Sequence, residues 1–245
     1  MNTRVKKLCY AIIIRAIVSP LLLADSDDDY KWQNISGNWK IISLGNKTYL
    51  TETSLKSYRL GYSELINANS IVTLNSIDKY SKIVFSSEFQ NIFYNNANFT
   101  IVFSMKENRQ FWGFRFEGGK ESINRVKFIR SEIIDNSKSN KLRWNYKITS
   151  IDSKELNIQY NMPYDFEIRF FGKKVDLLLN RNSILISKID DLVPSGKIGF
   201  SSTFLCPIIG NFTVYDSKNV VFNDDFKQDK IKQYRVSGKI KKIEK

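Results

Sequence analysis

The stretch Tyr164–Asp216 decides the fold class; it reads YDFEIRFFGKKVDLLLNRNSILISKIDDLVPSGKIGFSSTFLCPIIGNFTVYD. Two alternating segments flank the turn Gly172–Lys174, and three more segments follow at Ser183–Ser187, Gly196–Phe200 and Asn211–Tyr215. Short apolar segments that are separated by turn residues, with no helical period between them, are typical of a β-sandwich.

The rest of the chain repeats this pattern on the N-terminal side. Segments with the length of β-strands occur at Asn38–Ser43, Ser70–Leu74, Lys82–Phe85, Phe99–Ser104, Phe111–Phe116, Arg125–Arg130, Leu142–Ile148 and Glu155–Tyr160. No stretch has apolar residues at helical spacing. The sequence therefore predicts an all-β fold, and its 245 residues are compatible with one large domain.

Alternation within the strands assigns their two faces, because successive side chains of a strand point to opposite sides. We expect three apolar rows to face the core: Trp112, Phe114 and Phe116; Leu142, Trp144, Tyr146 and Ile148; and Phe166, Ile168 and Phe170. The residues between them are mostly polar. Each sheet is thus predicted to pack on one face and to meet solvent on the other.

The N-terminal segment Met1–Ala24 has the order of a secretory signal. Basic residues come first, the apolar run Leu8–Ala24 follows, and an acidic cluster begins at Asp25. Arg15 interrupts the apolar run, and an uncleaved anchor is the alternative. We therefore predict export to the periplasm, the cell surface or the medium. Cleavage would leave Cys206 as the one cysteine, which we interpret as a buried small side chain.

The net charge of +13 lies mostly at the two ends of the chain. The first 24 residues carry four basic side chains and no acidic one, and residues 227–245 carry eight basic and two acidic ones, which leaves +3 for the body. A nucleic-acid-binding domain would carry its charge as a stripe on the folded surface. We therefore predict no nucleic-acid partner.

The last segment, 223–245, is predicted to be a basic extension beyond a sandwich of residues 25–222. It also echoes the front of the chain. Asp224-Asp225-Phe226 with Ser237-Gly238 repeats the order of Asp28-Asp29-Tyr30 with Ser36-Gly37, although the spacing differs. Two interpretations stay open, a chance likeness in a basic tail and the start of a truncated second repeat.

Four segments together resemble a known superfamily: Asp28–Ile41, Phe111–Phe116, Tyr164–Asn180 and Gly196–Asp216. They are similar to the concanavalin A-like lectin and glucanase superfamily of laminin-G-like jelly rolls, nearest the bacterial domain of the 3-keto-disaccharide hydrolase type. The resemblance implies a two-sheet antiparallel jelly-roll sandwich. It also implies a concave sheet whose shallow groove often holds carbohydrate.

Such a groove would be lined by polar residues of the outward rows, and its partner would be a glycan or a cell-surface molecule. The candidates for ligand binding are Arg115, Glu117, Arg143, Asn145, Glu167 and Arg169. A sugar ring also stacks on aromatic side chains. Trp39, Trp112 and Trp144 are predicted to lie in the core, which leaves as surface candidates Trp32, Tyr58, Tyr62 and Tyr94.

The absence of histidine limits the chemistry, because it removes the commonest general base near neutral pH. Related glucanases place their catalytic carboxylates on one strand as Glu-x-Asp-x-x-Glu, and no segment matches. Glu117 and Glu167 could converge only if their strands are neighbours. No cofactor is required, but a Ca²⁺ site is an alternative, since carboxylates ligate this ion, and its candidates are Asp28, Asp29 and Asp216.

These observations leave three functional hypotheses. The first is an exported, non-catalytic carbohydrate-binding or surface interaction module that uses the concave sheet. The second is a glycoside hydrolase of the 3-keto-disaccharide hydrolase type, which acts through carboxylates. The third is a structural repeat of a longer surface protein.

Overall fold

The computed structural model describes residues 30–53, 70–91, 97–106, 110–135, 144–190, 192–227 and 230–233. Within these ranges the regular elements are β-strands. They are β1 (Tyr30–Ser36), β2 (Trp39–Leu44), β3 (Lys47–Glu52), β4 (Ser70–Leu74), β5 (Lys82–Asn91), β6 (Ala97–Met105), β7 (Gln110–Gly118), β8 (Ser122–Asp135), β9 (Trp144–Gln159), β10 (Pro163–Phe171), β11 (Lys174–Leu179), β12 (Asn182–Lys188), β13 (Lys197–Thr203), β14 (Leu205–Asp216), β15 (Asn219–Asp224) and β16 (Lys230–Gln233).

The strands form two sheets. Sheet A has the order β16-β1-β4-β13-β6-β7-β8-β9, and sheet B has the order β12-β11-β10-β5-β14-β3-β2, with β15 paired to β14. The paired strands run antiparallel, with the exception of β1 and β16, which are parallel. The predicted two-sheet jelly-roll sandwich is confirmed.

Aromatic side chains fill the space between the two sheets. Phe116 of sheet A and Phe166 of sheet B are both fully buried, and their rings meet edge to face with centroids 5.5 Å apart. Phe85 of sheet B stacks on Phe166 at 5.0 Å and contacts Phe200 of sheet A at 5.2 Å. Contacts between buried aromatic rings stabilise the fold beyond the free energy gained by burying apolar area. This aromatic layer therefore holds the two sheets together.

The predicted core rows are right in part. Phe114, Phe166 and Ile168 are fully buried, whereas Trp112 is only half-buried. Ile148 is 39% exposed, so its assignment to the core was wrong. It lies on β9, the edge strand of sheet A, where residues 147–151 are all exposed. The register places Ile148 opposite Ser131, which lies opposite Phe111, so Ile148 is on the outer face of sheet A and does not face sheet B. Alternation identifies two faces of a strand, but it does not show which of them meets the other sheet.

The segment after residue 222 belongs to the sandwich, so the predicted boundary at 222 lies too early. Asp224 is 4% exposed, and its carboxylate accepts hydrogen bonds from the Trp32 indole (Nε1 to Oδ2, 2.8 Å) and from the Phe226 backbone N–H (2.6 Å). Phe226 is fully buried against Trp32, with ring centroids 5.8 Å apart. Strand β16 then pairs with β1. The described part of the tail therefore completes the sandwich.

The outer face of sheet A carries a second apolar cluster. Its buried members are Ile71, Val102, Met105, Phe111 and Ile129, and Ile35 packs against them. Every residue of β4 and β6 is buried. The prediction that each sheet keeps one solvated face is therefore wrong in the middle of sheet A. Near-continuous apolar runs are typical of strands that are buried on both faces.

Two sequence predictions concern the compartment and the cysteine. Met1–Ala24 lies outside the described residues, and the part of the chain that is described contains no helix long and apolar enough to span a membrane. Cys206 is half-buried, so its prediction as a fully buried side chain was wrong, and its Sγ donates a weak hydrogen bond to the Glu52 carbonyl oxygen at 3.5 Å. Export stays a prediction, because the segment Met1–Ala24 is not described.

Candidate functional site

The structure separates the predicted polar pairs onto opposite faces of the sandwich. Glu117 lies on β7 of sheet A, and Glu167 lies on β10 of sheet B. Each follows a phenylalanine, Phe116 or Phe166, that points into the core between the sheets, so each carboxylate points away from the other. The two carboxylates do not converge, and their strands are not neighbours. Alternation predicted that both face outward, but not that they belong to different sheets.

Three charged side chains form a compact group on the outer face of sheet A, which we call the basic cluster: Arg115, Glu117 and Lys127. Lys127 Nζ lies 2.9 and 2.8 Å from the two Glu117 carboxylate oxygens, and Arg115 Nε lies 3.5 Å from Oε1. The side chains are 20–30% exposed. Arg115 on β7 lies directly opposite Lys127 on β8, so the sheet register brings the two cations together.

The basic cluster borders the buried middle of sheet A. Its neighbours on β6, Thr100 and Asn98, are buried, whereas Ser153 on β9 is exposed. The resemblance implied a concave sheet with a shallow groove. In the structure, the accessible part of this face lies around the basic cluster and Ser153, because Phe111 of β7 and Ile129 of β8 are buried in the outer apolar cluster.

The second predicted pair, Glu167 and Arg169, lies on the outer face of sheet B. Arg169 Nε donates to Glu167 Oε1 at 2.7 Å, and this hydrogen bond raises the pKa of the Arg169 guanidinium above its ordinary value. Arg169 is half-exposed. An exposed ion pair of this kind contributes little to stability, and it marks a solvated face. Beside it, Lys82 Nζ lies 4.0 Å from the centre of the Tyr215 ring.

A small pocket opens at the end of the sandwich, and we call it the end pocket. Its lining combines polar, cationic and apolar side chains: Ser104, Lys106, Gln110, Phe111, Trp112, Arg130, Leu192 and Val193. The Trp112 ring stacks on Phe128 with centroids 5.5 Å apart, and the Arg130 guanidinium carbon lies 5.5 Å from the Trp112 centroid. The sequence predicted Trp112 as a core residue and did not indicate this pocket.

The buried hydroxyl of Tyr80 organises one wall of the end pocket. It accepts a hydrogen bond from the Ser104 backbone N–H at 2.7 Å and lies 2.9 Å from Ser104 Oγ, which donates to the Val193 carbonyl at 3.1 Å. Ser104 has φ of +51°, a conformation that costs free energy in a residue with a side chain. Burial raises the pKa of the Tyr80 hydroxyl well above its ordinary value.

This pKa shift predicts a loss of stability in alkali. Because Tyr80 keeps its proton in the folded state, unfolding is favoured once the pH passes about 10, the ordinary tyrosine pKa. We expect the stability advantage of the parent chain over Tyr80→Phe to fall by about 1.4 kcal/mol per pH unit above pH 10. Urea unfolding of both chains between pH 8 and pH 11 measures it. Parallel pH curves for the two chains would contradict the prediction.

Several other predicted site residues lie elsewhere. Trp32 is fully buried, so its assignment as a surface aromatic was wrong. Outside the described residues, or with side chains that are not described, are Asp28, Asp29, Tyr58, Tyr62, Tyr94, Arg143, Trp144 and Asn145. Asp216 lies 3.7 Å from Lys79 Nζ. Within the described ranges no group of three metal-ligating side chains is present, and calcium binding stays a prediction.

Comparisons with known proteins bear on the fold. No protein-family model matches the chain, and no curated protein matches its sequence. The structure is similar to the carbohydrate-binding module CBM66 from Bacillus subtilis, with a TM-score of 0.53 and 14% identity over 77% of this chain and 98% of that chain. A Bacillus licheniformis β-glucanase also matches, with a TM-score of 0.49 and 10% identity over 80% of this chain and 95% of that chain. The chain has the concanavalin A-like jelly-roll fold that the sequence motifs predicted.

Proposed function

We propose that this protein is an exported, non-catalytic glycan-binding module, and that the basic cluster on sheet A contacts the ligand. The observation that carries the proposal is the fixed arrangement of two cations around one carboxylate, partly exposed on a sheet. A similar fold occurs in a carbohydrate-binding module. The order of Met1–Ala24 supports export, because a glycan partner would lie outside the cytoplasm.

The chemistry of the basic cluster suits a saccharide. Two adjacent hydroxyls of a sugar can donate one hydrogen bond and accept another. The Glu117 carboxylate can accept from the first hydroxyl while Lys127 or Arg115 donates to its neighbour. Hydrogen bonds to charged groups are stronger than those between neutral groups. The three side chains extend from paired strands and hold one another in place. Ligand binding therefore costs less side-chain conformational entropy.

The arrangement of carboxylates favours binding over hydrolysis. Retaining glycosidases place two carboxyl groups about 5 Å apart, and inverting ones about 6.5–9.5 Å apart, on either side of the scissile bond. Glu117 and Glu167 lie on opposite outer faces of the sandwich. These two carboxylates were the catalytic pair that the sequence suggested. Because they lie on opposite faces, the hydrolase hypothesis loses the observation that supported it.

A glycan array probed with the full chain tests this function. We expect binding to at least one glycan, and we expect Arg115→Ala to weaken it about tenfold, because a charged hydrogen bond contributes about 1.5–3 kcal/mol. Arg169→Ala is the matched control on the opposite face and should bind like the parent chain. Absence of binding, or equal binding by Arg115→Ala, would overturn the proposal. A thermal melt of each variant confirms that it is folded.

A further inference from the structure

We propose that the end pocket binds a single anionic substituent, a carboxylate or a sulfate group, of an acidic saccharide. The inference rests on the proposed function only in taking a saccharide as the ligand. The pocket is a second site, distinct from the basic cluster. It lies at the end of the sandwich, whereas the basic cluster lies on the outer face of sheet A.

The charge of the pocket points to an anion. Of the described residues that line the pocket, Lys106 and Arg130 are cationic, Gln110 and Ser104 are neutral and polar, and the remaining four are apolar. Asp190, on the nearby 189–196 segment, lies 3.3 Å from Lys173 Nζ. A planar guanidinium matches the geometry of a carboxylate or a sulfate better than an ammonium group does.

The position of Arg130 is set by the aromatic side chains beneath it. Trp112 stacks almost parallel on buried Phe128, with an interplanar angle of 10°, and Arg130 lies 5.5 Å from the Trp112 centroid. A guanidinium near an indole ring is attracted by the ring quadrupole. The ring therefore orients the cation at the pocket while Phe128 fixes the ring.

The size of the pocket selects a substituent over a whole sugar ring. A cavity of about 150 Å³ takes up a benzene ring, whereas the volume of this pocket is about 50 Å³. A carboxylate or sulfate group is of this order, and a pyranose ring is several times larger. The remainder of the saccharide would lie outside, where the exposed side chain of Val193 offers an apolar contact.

The wall that carries Val193 is held in place before any ligand arrives. The Val193 carbonyl accepts from Ser104 Oγ at 3.1 Å, and the next carbonyl, that of Pro194, accepts from the Tyr80 backbone N–H at 3.0 Å. Gly196 pairs with Ile77 through two backbone hydrogen bonds. Val193 is nevertheless 70% exposed. An apolar side chain that is held outward beside two cations does not contribute to the core. A wall that is already in place also lowers the entropic cost of binding a ligand.

Isothermal titration calorimetry of the full chain with tetragalacturonate tests the inference. Its fully methyl-esterified form is the neutral control, and a sulfated galactan tetrasaccharide is a second anionic probe. We expect at least one anionic probe to bind, the ester to bind at least tenfold more weakly than that probe, and affinity to fall with salt. Binding of the sulfated probe alone would support the inference and would identify sulfate as the substituent.

Arg130→Gln should weaken binding of the anionic probe at least tenfold, and Lys106→Gln should weaken it several-fold. Arg125→Gln is the matched control, because Arg125 lies on the same strand and pairs with Glu155 outside the pocket. Measurable and equal binding of the acid and the ester, no binding of either anionic probe, or unchanged binding by folded Arg130→Gln and Lys106→Gln would overturn the inference. If Arg115→Ala abolished binding of the anionic probe while Arg130→Gln and Lys106→Gln did not weaken it, the anion would be assigned to the basic cluster, and the inference would also be overturned. Binding of a neutral glycan that Arg115→Ala abolishes and Arg130→Gln spares would confirm the proposed function separately.

Discussion

A chain that ends at Phe222 is expected to lose about 4–8 kcal/mol of its free energy of unfolding. The truncation removes Phe226, which is fully buried against Trp32, and deletion of a buried phenylalanine side chain costs about 3–5 kcal/mol. It also removes Asp224 and so leaves the buried Trp32 indole N–H without its partner, at about 1–3 kcal/mol more. Domains are typically stable by about 5–15 kcal/mol.

Urea denaturation followed by tryptophan fluorescence measures this loss. A chain that ends at Gln233 is the matched control, because it keeps Asp224, Phe226 and strand β16. We expect the control to unfold at a clearly higher urea concentration than the chain that ends at Phe222. If the chain that ends at Phe222 unfolded at the same midpoint as the control, residues 223–233 would contribute nothing to the sandwich and the described packing of Phe226 would be wrong.

Gly199→Ala is expected to destabilise the protein by about 3 kcal/mol, the upper end of the usual cost of overpacking. Strand β13 lies between β4 and β6 in the middle of sheet A. A Cβ at position 199 would overlap the Val72 carbonyl oxygen and would lie 2.8 Å from Thr73 Cα, both backbone atoms of the neighbouring strand. Backbone atoms cannot move aside as a flexible side chain would, so the sheet itself must shift.

A thermal melt measures this effect, and roughly 10 °C of the melting temperature should be lost, at about 2–4 °C per kcal/mol for a chain of this size. Gly119→Ala is the control, since its nearest neighbour would be Asn124 Nδ2 at 3.4 Å, an ordinary contact. Its melting temperature should stay within about 2 °C of the parent value. A Gly199→Ala chain that melts with the parent would show that β4 and β13 are farther apart than described.

The sequence by itself determined the fold class, because period-two alternation is a local property of a strand. Ser70–Leu74 was predicted with the bounds that β4 has, and Phe114, Phe116, Phe166 and Ile168 were predicted for the core and are buried. The four motif segments were also sufficient to predict the concanavalin A-like fold. Strands β1, β3, β15 and β16 were not predicted, since their segments are short, polar or close to turn residues.

Only the tertiary structure decided which outward residues are neighbours. The outward positions of Glu117 and Glu167 follow from alternation, but their placement on different sheets depends on strand order, which pairs residues far apart in the chain. The same holds for Trp32 and Asp224, which meet across 192 positions. The cluster of Arg115, Glu117 and Lys127 depends on the register of β7 against β8, and the end pocket depends on how Leu192 and Val193 lie beside strands β6, β7 and β8. Contacts of this kind depend on packing between distant segments, and no local pattern of side chains encodes them.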